Sequence, residues 1–314
     1  MYYLGIDIGG TGIKAGIVKE DGTIVYKQSA VTQAHLGYDV LAADIAKLIE
    51  VTLKEANVSI DEIKSIGMGC PGSIDDKNGV VIYANNINLK NAPLCDELKK
   101  YYDKPIYIGN DANCAALGEY FALGDDSVEN FVAITLGTGV GGGIILNKKL
   151  FTGSNGIAGE LGHTVIKVDG EPCTCGRNGC WEAYASATAL VRDTERAGKK
   201  YPDSAVARKI KENGKASGKT AFDAMREGDE AGKEVVDNYI KNVSEGIVNI
   251  INTFQPEYVA IGGGISKEGD NLLTPVKKYV EDKVYGGGLV NTSKIVIAKL
   301  GNDAGIIGAA LLAK

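Results

Sequence analysis

The chain has 314 residues, a length typical of two domains with a sizeable core, and its apolar share of 44% and charged share of 24% are those of an ordinary globular enzyme. The net charge is -6, and no cluster of Lys and Arg is long enough to follow a phosphate backbone, so nucleic acid is not expected as a partner. The first residues lack a basic segment and a long apolar stretch. We therefore expect no signal peptide, no membrane association and a cytoplasmic location.

The first part of the chain is typical of an α/β half. Apolar runs predict strands near 2–8, 13–18, 23–29, 63–69 and 105–109, and helical periodicity predicts helices near 39–57, 93–101 and 111–123. Asp7 ends the first strand, and a glycine-rich turn joins this strand to the second. Glycines at such a turn let backbone N–H groups face an anion. Asp7 either holds a hydrated magnesium ion beside this turn or caps the turn.

Asp111 stands where the strand near 105–109 gives way to a helix. The commonest use of an aspartate at that place is as the N-cap of the helix. The carboxyl end of a parallel strand is also where α/β proteins place their chemistry. Both readings of Asp111 remain open at this stage.

The second part of the chain opens with a similar turn. Strands are predicted at 130–136 and 142–147, and the two glycine loops align with one gap, which predicts two halves that each open with the same hairpin. Both loops contain a G-x-G-x-x-G/A string, but the dinucleotide fingerprint must open a helix, and these strings continue as strand. No G-x-x-x-x-G-K-[ST] string occurs, which excludes a P-loop. Tight hairpins without a ligand are the alternative.

A cluster of metal-binding residues follows the second hairpin. Three cysteines within eight residues, Cys173, Cys175 and Cys180, come ten positions after His163, one of only two histidines. A Cys3His set has the ligand count of a closed, tetrahedral structural zinc site. A disulfide with a spare thiol is the alternative, and a reducing compartment argues against it. We therefore predict zinc.

The remaining chain is mostly helical from about 182 to 254, and a strand (257–261), a helix (270–284) and a strand (294–298) follow. The glycines of 262–264 end the first of these strands; they either leave a bare surface for a flat ring or make a simple turn. The last residues, from Asp303 onward, predict a helix of small residues that can pack closely on a neighbour.

Together these motifs resemble the ROK family of sugar kinases and repressors, and within it most of all the bacterial ATP-dependent glucokinases. The resemblance covers essentially the whole chain in the right order, and the cysteine signature is its most specific part. It implies an α/β protein with the actin-like ATPase (ribonuclease-H-like) fold and an interdomain cleft. Residues 1–120 and 301–314 would form a small N-terminal domain, and 121–300 a larger domain with the zinc loop. The motifs are Asp7-Ile-Gly-Gly-Thr-Gly, Asn110-Asp111-Ala-Asn, Leu136-Gly-Thr-Gly-Val-Gly-Gly-Gly, Glu160-Leu-Gly-His163, Cys173-x-Cys175-Gly-x-x-Gly-Cys180-x-Glu182 and Gly262-Gly-Gly.

The resemblance implies ATP-dependent phosphorylation of a hexose at its 6-hydroxyl, with magnesium, a structural zinc and a homodimer. Asp111 matches the catalytic base. A carboxylate can take the proton of a sugar hydroxyl as the phosphoryl group arrives. The implied sugar ligands are Asn86, Asn110, Asp111, Glu160, His163 and Glu182. The implied ATP and magnesium residues are Asp7, Gly9, Gly10, Thr11, Gly12, Lys14, Gly137, Thr138, Gly139, Gly262, Gly263 and Gly264.

Several alternatives stay open within and beyond this reading. Leu89 stands where family members often carry a tryptophan, so N-acetylmannosamine, N-acetylglucosamine, fructose and allose compete with glucose as the acceptor. Polyphosphate competes with ATP as the donor. A sugar-responsive repressor would need a helix-turn-helix ahead of the first glycine loop, and the first strand already begins at Tyr2. A non-catalytic sugar-binding relative is disfavoured by the presence of the base and both loops.

Overall fold

The computed structural model describes residues 1–290 and 292–314 of the chain as a mixed α/β protein. Its strands are β1 (Tyr2–Ile8), β2 (Gly12–Lys19), β3 (Ile24–Val31), β4 (Ile63–Cys70), β5 (Ser73–Asp75), β6 (Val80–Ala84), β7 (Leu89–Ala92), β8 (Ile106–Asn110), β9 (Phe131–Leu136), β10 (Val140–Leu146), β11 (Lys149–Leu150), β12 (Tyr258–Gly262) and β13 (Lys294–Ile297). Its helices are α1 (Tyr38–Ala56), α2 (Leu94–Lys99), α3 (Asp111–Phe121), α4 (Glu182–Ala185), α5 (Ala187–Lys200), α6 (Ala205–Asn213), α7 (Thr220–Arg226), α8 (Glu230–Phe254), α9 (Asp270–Lys283) and α10 (Ala304–Ala310).

Two five-stranded sheets share one topology. The first has the order β3-β2-β1-β4-β8 and the second the order β11-β10-β9-β12-β13. In the first sheet, β1 pairs antiparallel with β2 and parallel with β4, and β4 pairs parallel with β8. In the second, β12 pairs parallel with both β9 and β13. The predicted repeat of two halves that open with the same hairpin is confirmed.

A third, three-stranded sheet of order β5-β6-β7 was not predicted. Its strands are three to five residues long, and a short 3-10 turn over Asn85–Ile87 joins β6 to β7. Strands this short carry too few alternating positions for a periodic signal. The two adjacent exposed side chains of Ile82 and Tyr83 also break the alternation of β6.

The chain divides into two compact units. The first contains Met1–Ser127, Gly143–Gly159 and Lys299–Lys314, and the second contains Val128–Gly142 and Glu160–Ala298. These bounds differ from the predicted ones chiefly at 143–159, which the prediction assigned to the second domain. The backbone of Gly143 lies so close to α3 that a Cβ there would collide with the Ala116 side chain. This close approach places the segment with the first unit.

The C-terminal helix α10 packs in the first unit through small residues, as predicted. Added Cβ atoms on Gly5 of β1 and Gly67 of β4 would collide with carbonyl oxygens of Ile306 and Ala309. A Cβ on Gly308 would collide with the Cys114 carbonyl oxygen of α3. Helix α10 therefore fixes the positions of two central strands and of α3. Among the described residues, no helix is both long enough and apolar enough to cross a membrane.

Candidate functional site

The first glycine loop is a tight turn at the carboxyl end of β1. The Gly9 N–H donates to the Gly12 carbonyl at 2.8 Å, and Gly10 and Thr11 are exposed at the tip. A Cβ on Gly10 would lie 3.6 Å from the Asn86 carbonyl oxygen. The structure thus places Asn86, a predicted sugar ligand on the β6–β7 connection, beside this loop.

Asp7 and Lys14 face each other across the hairpin that carries this loop. Their Cα atoms are register partners, and Lys14 Nζ donates to Asp7 Oδ2 at 2.8 Å. On its other side, the Asp7 carboxylate lies 3.0 Å from the position that a Cβ on Gly305 would take. The glycine at the start of α10 therefore leaves room for this carboxylate.

Asn110, and not Asp111, is the N-cap of α3. The Asn110 Oδ1 accepts from Ala112 N at 2.9 Å and Asn113 N at 3.1 Å, and its Nδ2 donates to the Gly72 carbonyl at 3.1 Å. Asp111 is the first helical residue, and its Oδ1 accepts from Ala112 N at 2.9 Å. The interpretation of Asp111 as the N-cap is therefore wrong, because Asn110 has that role.

Asp7 and Asp111 lie at the same edge of the first sheet. Asp7 is level with Gly69 of β4, and Gly69 is level with Gly109 of β8, two residues before Asp111. Both carboxylates act on the Cys114 thiol, which is fully buried: burial raises its pKa, and the charges of Asp111 and Asp7 raise that pKa further. Burial and the Asp111 charge likewise raise the pKa of Cys70. A raised pKa favours the neutral thiol at both positions.

The second glycine loop is held by the first turn of α5. The Gly137 N–H donates to the Gly139 carbonyl at 3.0 Å, so this loop closes over one residue fewer than the first, in which the Gly9 N–H donates to the Gly12 carbonyl. The Gly137 carbonyl accepts from Ala187 N at 2.8 Å, and the Thr138 carbonyl accepts from Thr188 Oγ1 at 2.7 Å. With these carbonyls occupied, the loop's orientation is fixed. Sequence reasoning missed this support, because it depends on a contact between segments about fifty residues apart.

The third glycine cluster lies next to the second loop. Gly262 is level with Thr135 in the parallel pair of β12 and β9. Gly263 has a φ of +86°, and a Cβ there would collide with the Leu136 backbone. Among the described residues, a Cβ on Gly264 would have no neighbour within 4 Å. The predicted bare surface at the end of β12 is therefore adjacent to the loop at the end of β9.

The four predicted zinc ligands converge. The ligand atoms of His163, Cys173, Cys175 and Cys180 all lie within 4.8 Å of one another. Cys173 Sγ is 3.6 Å from His163 Nδ1, and Cys175 Sγ is 3.6 Å from Cys180 Sγ. Tetrahedral zinc with bonds of about 2.0–2.3 Å separates neighbouring ligand atoms by roughly 3.5–3.8 Å. The donor set and its spacing fit a zinc ion, and none of these cysteines is in a disulfide.

The loop that carries the cysteines is anchored on the helices behind it. Gly179 has a φ of +79°, and a Cβ there would collide with the Lys167 carbonyl, so the last turn before Cys180 requires glycine. Glu171 accepts from Arg196 of α5 at 2.6 and 3.2 Å. Trp181 is fully buried and donates from Nε1 to the Asn242 carbonyl of α8 at 2.8 Å. These contacts attach the two ends of the cysteine-bearing segment to α5 and α8.

Glu160 and Glu182 flank this centre differently. Glu160 is exposed and precedes the 3-10 turn that ends at His163. Glu182 Oε2 accepts from the N–H of Val140 at 3.0 Å, and Val140 begins β10, the strand that follows the second glycine loop. Glu182 Oε1 lies 3.4 Å from Thr174 Oγ1 and 3.7 Å from Cys173 Sγ. Sequence reasoning had not predicted the contact of Glu182 with β10.

The predicted site residues are divided between the two units. The first unit holds Asp7, Gly9, Gly10, Thr11, Gly12, Lys14, Asn86, Asn110 and Asp111. The second unit holds Gly137, Thr138, Gly139, Glu160, His163, Cys173, Cys175, Cys180, Glu182, Gly262, Gly263 and Gly264.

Comparison with known proteins identifies the family. The ROK family profile matches residues 3–314, and the chain belongs to this family. It is 38% identical to a glucokinase of Halalkalibacterium halodurans over 100% of this chain and 95% of that protein. It is 39% identical to a glucokinase of Thermotoga maritima over 99% of this chain and 96% of that protein. A crystal structure of a ROK family glucokinase from Streptomyces griseus, in complex with glucose and AMPPNP, superposes with a TM-score of 0.82 at 33% identity and 99% coverage of both chains. The fold is therefore the actin-like ATPase fold of ROK sugar kinases.

Proposed function

From its membership of the ROK family, we propose that this chain is an ATP-dependent sugar kinase that phosphorylates a hexose, most of all glucose, at the 6-hydroxyl. Support comes from the relatives named glucokinase, which this chain matches over its full length at 38% and 39% identity. Further support comes from the similar ROK glucokinase whose structure contains glucose and AMPPNP.

The observation that carries the proposal is the shared edge of Asp7 and Asp111 beside the first glycine loop. Phosphoryl transfer needs a base for the acceptor, a metal for the phosphates and donors for the developing charge. We assign the base to Asp111 and a magnesium contact to Asp7. The exposed amides of the loop between them suit the phosphates.

In the proposed reaction, Asp111 accepts the proton of the sugar 6-hydroxyl as its oxygen attacks the γ-phosphorus. The bond between the γ-phosphorus and the β–γ bridging oxygen breaks, and ADP leaves. A general base of this kind contributes about 10²–10⁴-fold to the rate. Magnesium would neutralise the phosphate charge. Lys14, already paired with Asp7, adds a cation at the same edge.

The remaining polar residues are proposed as ligands of the sugar and the nucleotide. Recognition of a hexose by hydrogen bonds rejects epimers, because a wrong epimer leaves buried acceptors unpaired. His163 turns Nδ1 toward the cysteines, which leaves Nε2 to contact a sugar hydroxyl when zinc is bound. The proposed sugar ligands are Asn86, Asn110, Asp111, Glu160, His163 and Glu182. The proposed nucleotide residues are Asp7, Gly9, Gly10, Thr11, Gly12, Lys14, Gly137, Thr138, Gly139, Gly262, Gly263 and Gly264.

The zinc ion is proposed as a structural cofactor held by His163 and the three cysteines. Its contribution is to fix the loop on which the sugar-facing imidazole stands. A cytoplasmic homodimer, with domain bounds near those of the two compact units, completes the proposal.

The test is an ADP-release assay with magnesium ATP against glucose, fructose, allose, N-acetylmannosamine and N-acetylglucosamine. A parallel assay measures sugar phosphate formation with polyphosphate as the donor. We expect turnover with glucose at the highest kcat/KM. Preferred turnover of another sugar would keep the mechanism and change the substrate. No turnover with any acceptor or donor, in zinc-loaded protein that binds sugar, would refute the kinase assignment.

A further inference from the structure

We infer that Glu182 is a positioning residue that braces the second glycine loop against the zinc-binding loop, so that zinc loading raises the affinity for ATP. The inference rests on the proposed function, because it assigns the second glycine loop to the nucleotide. It goes beyond a structural zinc and a sugar-binding glutamate, since it connects the metal to the nucleotide in the absence of sugar.

The contact is specific on the side of the glycine loop. Glu182 Oε2 accepts the N–H of Val140, the residue that follows Gly139. A Cβ on Gly139 would collide with the same carboxylate oxygen. Gly137, two residues earlier, has open space at the equivalent position, where no atom of residues 1–290 or 292–314 lies within 4 Å. Gly139 is therefore the place where the loop must lack a side chain so that the Glu182 carboxylate can reach it.

The other end of the carboxylate rests on the zinc-binding loop. Glu182 Oε1 lies 3.4 Å from Thr174 Oγ1, between two of the cysteines, and 3.7 Å from Cys173 Sγ. Glu182 itself follows Cys180 by two residues and begins α4. When zinc fixes both cysteines, it fixes the carbon stem of Glu182 and the hydroxyl that its second oxygen faces.

A second contact joins Gly162, the residue before His163, to the same strand position. A Cβ on Gly162 would collide with the Val140 carbonyl oxygen. The backbone of Val140 is therefore contacted on its N–H by Glu182 and on its carbonyl side by the residue before His163. Two separate segments of the zinc-binding loop thus meet one residue at the end of the glycine loop.

These contacts predict that zinc binding affects the conformation of the second glycine loop, which we assign to the nucleotide. The loop carbonyls of Gly137 and Thr138 are held from α5, but its far end at Val140 is held by Glu182. Without zinc, the cysteines and Glu182 become more mobile, and the amides that face the phosphates are no longer pre-arranged. Ordering them then costs binding free energy.

The experiment measures the Kd of magnesium AMPPNP by calorimetry, without sugar, and the zinc content of each sample. We compare the wild type, Glu182→Ala, Glu182→Gln and Gly139→Ala, each zinc-loaded, with the zinc-stripped wild type and zinc-stripped Glu182→Ala. Glu171→Ala is the matched control, because it removes a carboxylate of the same loop that binds Arg196 and not the glycine loop.

We expect zinc-loaded Glu182→Ala and the zinc-stripped wild type each to bind AMPPNP about tenfold more weakly, the size of a lost charge-assisted hydrogen bond. Stripping zinc from Glu182→Ala should add little. Glu182→Gln should recover most of the affinity, because its amide oxygen can still accept from Val140. Glu171→Ala should match the wild type.

Unchanged AMPPNP affinity in zinc-loaded Glu182→Ala and Gly139→Ala would overturn the inference, as would a full further loss on stripping zinc from Glu182→Ala. The proposed function is judged separately, on the wild type. If the wild type phosphorylates glucose and binds AMPPNP, but substitution of Glu182 leaves the AMPPNP affinity unchanged, the role of Glu182 is refuted and the kinase assignment stands. Melting temperatures identify any variant that fails to fold, and the Glu182→Gln recovery cannot arise from misfolding.

Discussion

Lys14 Nζ lies 2.8 Å from Asp7 Oδ2, across the hairpin whose turn is the first glycine loop. The two side chains are 44% and 20% exposed, so the pair adds at most about 1 kcal/mol to stability. A pair with so little structural value, beside a turn of exposed amides, is better explained by the charges it presents to a ligand. The charges of Asp7 and Lys14 balance each other, and we propose that magnesium competes for Asp7 and phosphate for Lys14.

Asp7→Asn should weaken the response to magnesium while leaving the fold intact. The amide has the same shape, so the close packing at Gly305 is kept. Loss of the charge should raise the magnesium concentration that gives half-maximal turnover by about tenfold, since a carboxylate is a preferred ligand for this ion. Asp303→Asn is the control, because Asp303 pairs with Lys27 at 2.7 Å on the exposed surface of the same unit. An unchanged magnesium dependence would remove Asp7 from the metal site.

Asp111→Asn should abolish most turnover without unfolding α3. Asn110 caps this helix, so the Asp111 carboxylate is not needed for the cap. We expect kcat to fall by about 10²–10⁴-fold with near-normal Kd for glucose, the size of a lost general base. Asn110→Ala, by contrast, should lower the free energy of unfolding by about 1 kcal/mol, because it removes the N-cap of α3. Near-normal kcat in Asp111→Asn would contradict the assignment of the base.

The elements that were predicted correctly are those in which burial alone decides. Strand β12 is a continuous apolar run, β1 is apolar except for Asp7, and α8 carries an apolar stripe that is buried as expected. The convergence of the four predicted zinc ligands could also be expected, because these side chains lie within eighteen residues and a Cys3His set suits a closed tetrahedral site.

What could not be predicted depends on tertiary contacts. Asn110 and Asp111 are adjacent and both can cap a helix, so only the backbone decides which of them does. Gly139 needs to be glycine because Glu182, forty-three residues later, approaches it. The segment 143–159 joins the first unit because Gly143 lies against α3. No local pattern carries these contacts.

Cys175→Ala should lose the zinc ion and destabilise the loop. Cys175 Sγ is 3.6 Å from Cys180 Sγ, and three remaining ligands leave a closed tetrahedral site incomplete. We expect less than one zinc per chain by metal analysis and a lower melting temperature. Cys95→Ala is the control for replacing a cysteine with alanine. Cys95 is buried in the core of the first unit, so this variant should keep its zinc ion. Zinc retained in full by Cys175→Ala would exclude this residue as a ligand.

Gly308→Ala should destabilise the first unit and reduce activity together. A Cβ at this position would collide with the Cys114 carbonyl oxygen and lie 2.9 Å from Gly118 N, both on α3. Backbone atoms cannot move aside as a flexible side chain can, so α10 and α3 must separate, at a cost of about 1–3 kcal/mol or more. Gly264→Ala, which has open space and no positive φ, is the control for thermal stability. Because α3 carries Asp111 on its first turn, the same displacement should lower kcat in Gly308→Ala at temperatures where the protein is still folded. A melting temperature equal to that of the wild type would mean that the two helices are not in the close contact that positions Asp111.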